Sequence, residues 1–72
     1  MKKSYQLTDL DCANCAAKME TGIRKIEGVQ SASVNFLSQK LTLEAEEAQF
    51  EQILQQAVKL IKRIEPDCTI RL

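Results

Sequence analysis

The chain has 72 residues, 44% apolar and 28% charged, and its ten Lys and Arg balance ten Asp and Glu for a formal net charge of zero. That length holds one hydrophobic core, so residues 1–72 read as a single domain, and the charge balance removes the basic face that a nucleic-acid partner would require. Three Cys are too few, and odd in number, for the disulfide framework of a secreted mini-protein, and no apolar run reaches the roughly 18 residues of a membrane span. Reduced thiols, an intracellular setting and no direct membrane insertion are therefore expected.

Two Lys follow Met1, but Ser4–Asp11 alternates and is polar, unlike the apolar core of a signal peptide. Tyr5 and Leu7 alternate with Ser4, Gln6 and Thr8, and Asp9 continues the period, which predicts a short first strand. Leu10 breaks the alternation as a plug for the core beneath the next loop. Ala13–Glu27 predicts a helix, with Ala16, Met19, Ile23 and Ile26 on one apolar stripe. Arg24 and Lys25 lie in its last turn, where cations favour the dipole, and Gly28 supplies a left-handed stop.

Val29, Ala32, Val34 and Phe36 mark a second strand over Gln30–Phe36. Leu37–Lys40 lacks an Asn-Gly signal, which predicts a loop of about four residues. Leu41, Leu43 and Ala45 form a third strand. A second helix opens with Glu46 and Glu47 and carries Phe50, Ile53, Leu54, Ala57, Leu60, Ile61 and Ile64 on its apolar stripe. Lys59, Lys62 and Arg63 close it, and Pro66 stops it near Arg63 or Ile64. Cys68, Ile70 and Leu72 then alternate as a fourth strand.

The order β-α-β-β-α-β is that of the ferredoxin-like α+β sandwich, a four-stranded antiparallel sheet with both helices on one face. Right-handed crossovers put the first and third strands in the middle. The alternating strand directions bring three connections to one end: the loop of Asp11-Cys12-Ala13-Asn14-Cys15, the turn at Leu37–Lys40, and the link around Glu65–Asp67.

The chemistry of the chain is concentrated in Cys12 and Cys15. Two thiolates two residues apart can turn both sulfurs to one point, which suits Zn²⁺, Cd²⁺ or Cu(I), and a helix N-terminus favours thiolate over thiol. With no His and no second Cys pair, two sulfurs cannot close a tetrahedral site. The remaining position is open to Asp11, to water or to a ligand from a partner, and a metal-bridged dimer is one assembly it allows. An open site suits cargo that must leave again. A dithiol redox module is the competing reading, against which stand the lack of a loop proline facing the pair and the absence of Trp. Cys68 shares its strand face with Ile70 and Leu72 and reads as a small core residue, with a third-ligand role as its alternative. Glu65 and Asp67 read as solvated loop carboxylates whose second role would be to complete the shell. Lys18 reads as a helix-surface charge that could moderate a negative site, and Asp11 could instead cap the first helix.

Leu10-Asp11-Cys12-Ala13-Asn14-Cys15-Ala16-Ala17-Lys18, followed by Ile26-Glu27-Gly28-Val29 and Val34-Asn35-Phe36, resembles the heavy-metal-associated domain. The family pattern is roughly G-M-x-C-x-x-C, a helix, E-G-V and a V-N strand, and the resemblance covers essentially the whole chain. It implies the ferredoxin-like fold, Cys12 and Cys15 as metal ligands and Asp11 as an oxygen ligand. The D-C-A-N-C-A form is similar to the branch of P-type ATPases that exports zinc, cadmium and lead. The implied role is a non-catalytic cytosolic module at the inner face of the membrane, receiving Zn²⁺, Cd²⁺ or Pb²⁺ and passing it to the transmembrane part of a parent ATPase or exchanging it with a metal-donor protein. A free-standing metallochaperone, copper included, is the alternative. Two departures stand out: Asp9-Leu10 replaces Gly-Met, and Asp11 occupies the place where copper-handling members commonly have Thr or Ser.

Overall fold

The computed structural model describes residues 1–71; Leu72, which the alternation assigns to the fourth strand, lies outside the described residues. The elements are β1 (Lys2–Thr8), α1 (Ala13–Arg24), β2 (Val29–Asn35), β3 (Lys40–Ala45), α2 (Glu47–Ile64) and β4 (Thr69–Ile70). The strands form one antiparallel sheet in the order β2-β3-β1-β4. Strands β1 and β3 are central, as right-handed crossovers require.

The core lies between the sheet and the two helices. Leu7, Leu41, Leu43, Ala32 and Val34 are buried on the sheet side, and Ala16, Met19 and Ile23 of α1 and Phe50, Ile53, Ala57 and Ile61 of α2 on the helix side. The stripes predicted from a 3.6-residue period are thus the buried faces. Leu54, Leu60 and Ile64 flank the α2 stripe half-buried.

Several boundaries depart from the expectation, among them the start of β4 at Thr69, which leaves Cys68 in the link before the strand and not in it. Strand β1 ends at Thr8, because Asp9 takes φ 60° and leaves the strand. Helix α1 ends at Arg24 rather than Glu27: Lys25 and Ile26 donate to the carbonyls of Gly22 and Ile23, three residues back, and tighten the last turn out of the α-helix. Ile26 still packs on the core from this turn, which is why the apolar period runs past the helix end. In β2, Val29 pairs with Ala45 and Ser31 with Glu44, so Gln30 is an extra, bulged residue. The bulge puts Val29 back in step with Ala32, two positions that cannot share a face at a strict period of two. Phe36 lies in the β2–β3 turn, half-buried, and not in the strand.

Gly28 has φ 97°, the left-handed conformation expected of it, although it sits in the turn after the helix and not at its cap. Helix α2 ends at Ile64 with Glu65 as its C-cap, in extended backbone (φ −140°, ψ 94°) as suits the residue before Pro66.

Candidate metal centre

Cys12 and Cys15 sit where β1 hands over to α1. Cys12 is the helix N-cap, with extended backbone at φ −130°, ψ 120°, and its Sγ accepts from the backbone N–H of Cys15 at 3.2 Å. The sulfur therefore takes the place an oxygen has in an ordinary cap and satisfies one of the orphan N–H groups of the first turn. Asp11 stands one residue before the cap, exposed. The capping role weighed for Asp11 belongs to Cys12, a consequence of the helix beginning at Ala13.

The two thiols are unlike. Hydrogen bonds from the Cys15 thiol and then from its backbone N–H hold Cys12 below the ordinary thiol value. The same thiol–thiol bond, with desolvation and the charges of Cys12 and Glu65, pushes Cys15 up to about 11, while Lys18 pulls it the other way. Cys12 therefore gives up its proton first and Cys15 keeps its own. Lys18 is exposed on α1, as a helix-surface charge is expected to be. All three cysteines are free thiols.

The loop is held by side chains whose role the strand pattern did not reveal. Gln39 Nε2 donates to the carbonyl of Leu10 at 2.7 Å, tying the β2–β3 turn to the Cys loop. Gln6 Nε2 donates to the carbonyls of Ser38 and Gln39 at 3.3 and 3.1 Å. Gln39 itself has φ 54°, and Asn35 Oδ1 accepts from the Ser38 N–H at 3.1 Å to shape the same turn. Contacts spanning 29 and 33 residues leave no trace in local periodicity. Beneath the loop Leu10 is 0% exposed, the plug expected of it. Asp9, which stands where the family pattern has Gly, takes up left-handed backbone at φ 60°, a conformation suited to glycine.

Cys68 is 0% exposed among the core residues, and burial first, then the charges of Glu65 and Asp9, raises its thiol above the ordinary value, with Lys62 opposing and Asp11 adding to the rise. Asp67 is exposed in the turn before β4. Glu65 differs from the expectation of a solvated carboxylate. It is half-buried, and its Oε2 is buried without a hydrogen-bond partner. Its charge raises the proton affinity of Cys12, Cys15 and Cys68 alike. Because Glu65 caps α2 and its carbonyl accepts from the Cys68 N–H at 3.0 Å, the end of α2 fixes it at this end of the sheet. Among the described residues, no three His, Cys, Asp or Glu side chains are gathered tightly enough to hold an ion. The thiol pair is assembled, and no carboxylate is gathered with it into a three-residue cluster among the described residues.

The heavy-metal-associated domain family matches residues 4–68, and the chain belongs to it. Over 71 residues it is 37% identical to the cadmium, zinc and cobalt-transporting ATPase of Bacillus subtilis (strain 168), covering 99% of the chain and 10% of that protein. Over 57 residues it is 39% identical to the zinc/cadmium/lead-transporting P-type ATPase of Escherichia coli (strain K12), covering 75% of the chain and 8% of that protein. The chain thus spans a tenth or less of the curated relatives it matches. Among solved structures, the N-terminal domain of the copper(I) ATPase PacS in its apo form superimposes with a TM-score of 0.76 at 29% identity, covering 100% of the chain and 92% of that domain. The N-terminal domain of a potential copper-translocating P-type ATPase from Bacillus subtilis, in its Cu(I)-loaded state, gives 0.76 at 25% identity, covering 99% and 84%. The fold is the ferredoxin-like one expected, a small metal-binding fold.

Proposed function

We propose that the chain binds a soft divalent ion, Zn²⁺, Cd²⁺ or Pb²⁺, through Cys12 and Cys15 and passes it on as a cytoplasmic module of a heavy-metal-exporting P-type ATPase. The observation that carries this reading is the thiol pair on the first turn of α1, with the unpartnered Glu65 Oε2 close enough to influence both sulfurs. A buried carboxylate oxygen without a donor is costly and asks for a partner, and a cation is one. Glu65 and Asp11 would supply oxygen to an ion that accepts mixed donors, and Cys68 and Asp67 stay outside the shell. The likeness to cadmium- and zinc-transporting ATPases supports divalent cargo.

Arriving at the site, the ion displaces the proton that Cys15 retains and binds the thiolate pair. An incompletely closed shell leaves room for incoming sulfur from a donor or acceptor protein, so exchange can proceed without first emptying the site. Copper as the cargo is the second reading, favoured by the likeness to the N-terminal domain of the copper(I) ATPase PacS. The described residues include no helix long and apolar enough to cross a membrane, so translocation is assigned to other parts of a parent protein.

The test is competitive titration of the reduced chain with Zn²⁺, Cd²⁺, Pb²⁺ and Cu(I), alongside the double variant Cys12→Ser, Cys15→Ser. Tight divalent binding that the double variant loses while staying folded is the expected result. Tight binding retained by the variant would sink the assignment of the ligands, and an overriding preference for Cu(I) would make copper the cargo.

A further inference from the structure

Strand β2 is an edge of the sheet, and an edge strand presents unpaired N–H and C=O groups that can template another strand. In the β2–β3 ladder, Ser33 faces Thr42 and Asn35 faces Lys40, while β3 turns the intervening Leu41 and Leu43 toward Tyr5 and Lys3 of β1. The backbone groups of Ala32 and Val34 therefore point outward, away from the sheet.

Two of those outward groups are taken by side chains from α1. Glu20 Oε2 accepts from the Val34 N–H at 3.0 Å, and Arg24 Nε donates to the Ala32 carbonyl at 2.9 Å. Glu20 Oε1 and Arg24 Nη2 meet at 3.3 Å, which locks the two side chains together one helical turn apart. A carbonyl and the N–H two residues later are the pair that one residue of a neighbouring parallel strand would bind with its own N–H and C=O. Arg24 supplies the donor and Glu20 the acceptor, so the ion pair takes the place of a strand residue.

We propose that Glu20 and Arg24 close the β2 edge, and that the partner they keep out is a second copy of this chain. The exposed groups are self-complementary: two β2 strands related by a twofold axis through Ser33 would pair Ala32 of one copy with Val34 of the other and join two sheets. This assembly is independent of the thiol pair at the other end of α1, and so of the metal-binding reading. An ordinary surface ion pair of this kind contributes little to stability, which suggests a role in blocking association.

The experiment compares the wild-type chain with Glu20→Ala, Arg24→Ala, in the presence of a reductant and a chelator so that neither a disulfide nor a metal bridges copies. Sedimentation equilibrium is expected to give a monomer for the wild type and concentration-dependent dimers for the double variant, with cross-strand nuclear Overhauser effects between Ala32 and Val34 of different copies. The Val34 amide should also exchange roughly fivefold faster in monomeric Glu20→Ala, the order of one net hydrogen bond. Glu20→Gln keeps an acceptor oxygen and should stay monomeric with a slow Val34 amide. If removing both side chains unfolds the chain, Glu20→Ala against Glu20→Gln answers the same question. A folded Glu20→Ala, Arg24→Ala variant that remains monomeric (or a folded Glu20→Ala that does so, where the double variant does not fold), or a wild type that already dimerises through β2, overturns the proposal.

Discussion

The Cys15 backbone N–H donates to Cys12 Sγ across 3.2 Å, and the neighbouring Cys15 thiol helps to hold Cys12 below the ordinary thiol value. One sulfur of the pair is thus a favoured thiolate and the other a retained thiol, with Cys15 pushed up to about 11. Metal binding must release what the pair still holds. Below the titration of Cys12 an ion displaces two protons, and between that point and about pH 11 it displaces one. Affinity for any ion bound by both sulfurs should therefore rise with pH, about a hundredfold per unit in the lower range and about tenfold per unit above it. Proton release measured by calorimetry in buffers of different ionisation enthalpy checks the count. Affinity that is flat between pH 6 and 8 would mean that only one sulfur, already ionised, holds the ion.

Cys68 tests the boundary between core and site. It is 0% exposed, and burial is the first cause of its raised thiol. Cys68→Ala should cost about 1 kcal/mol of stability through the small cavity it leaves, and should leave Cd²⁺ affinity unchanged. A fall in the thiolate-to-cadmium absorbance by a third would make Cys68 a ligand.

Much of this fold was legible because its elements are amphipathic and short. The stripes of Ala16, Met19 and Ile23 and of Phe50, Ile53, Ala57 and Ile61 follow the helical period, and Leu41, Leu43 and Ala45 the strand period. The Cys pair was legible because its chemistry is carried by residue type and spacing. What stayed hidden depends on backbone conformation or on distant partners. The Gln30 bulge is a property of pairing with β3, the φ of Asp9 depends on how the chain leaves β1, and the burial of Glu65 Oε2 depends on where α2 comes to rest. A carboxylate beside Pro66 looks solvated until the fold buries one of its oxygens and brings its charge to bear on three thiols.

Asp9 and Gly28 should respond in opposite directions to substitutions that exchange glycine and side chain. Asp9 has φ 60°, and Asp9→Gly removes a left-handed strain that outweighs the added chain entropy, so stability should hold or rise by up to about 1 kcal/mol. Gly28 has φ 97°, and a Cβ there would lie 2.6 Å from Gln49 Oε1 and 3.0 Å from Ile53 Cδ1. Gly28→Ala should therefore destabilise by about 2 kcal/mol, and in a chain of this size each kcal/mol moves Tm by about 4–8 °C. Thermal unfolding of the two metal-free variants reads both signs. A loss of stability in Asp9→Gly would show that the Asp9 side chain contributes more than its backbone costs.

The last prediction separates a carboxylate that binds the ion from one that only stands near it. Glu65 raises the proton affinity of both Cys12 and Cys15 through its charge. At a pH where both thiols are protonated, a divalent ion that displaces two protons exchanges equal charge. A neighbouring carboxylate that makes no bond then favours reactant and product alike. Under that condition Glu65→Gln should leave Zn²⁺ and Cd²⁺ affinity nearly unchanged, and should tighten Cu(I), which brings one charge for two protons. If Glu65 is a ligand, the divalent ions should instead weaken by about tenfold or more while Cu(I) still tightens. Asp11→Asn poses the same question without ambiguity from helix capping, since Cys12 is the cap. We expect both substitutions to weaken Zn²⁺ and Cd²⁺, and Glu65→Gln to tighten Cu(I). Competition titrations of the two variants against one chelator, at one pH below the Cys12 titration, measure the split. Divalent affinity untouched by either change would leave the two sulfurs as the only protein ligands, with the rest of the shell supplied by water or by a partner.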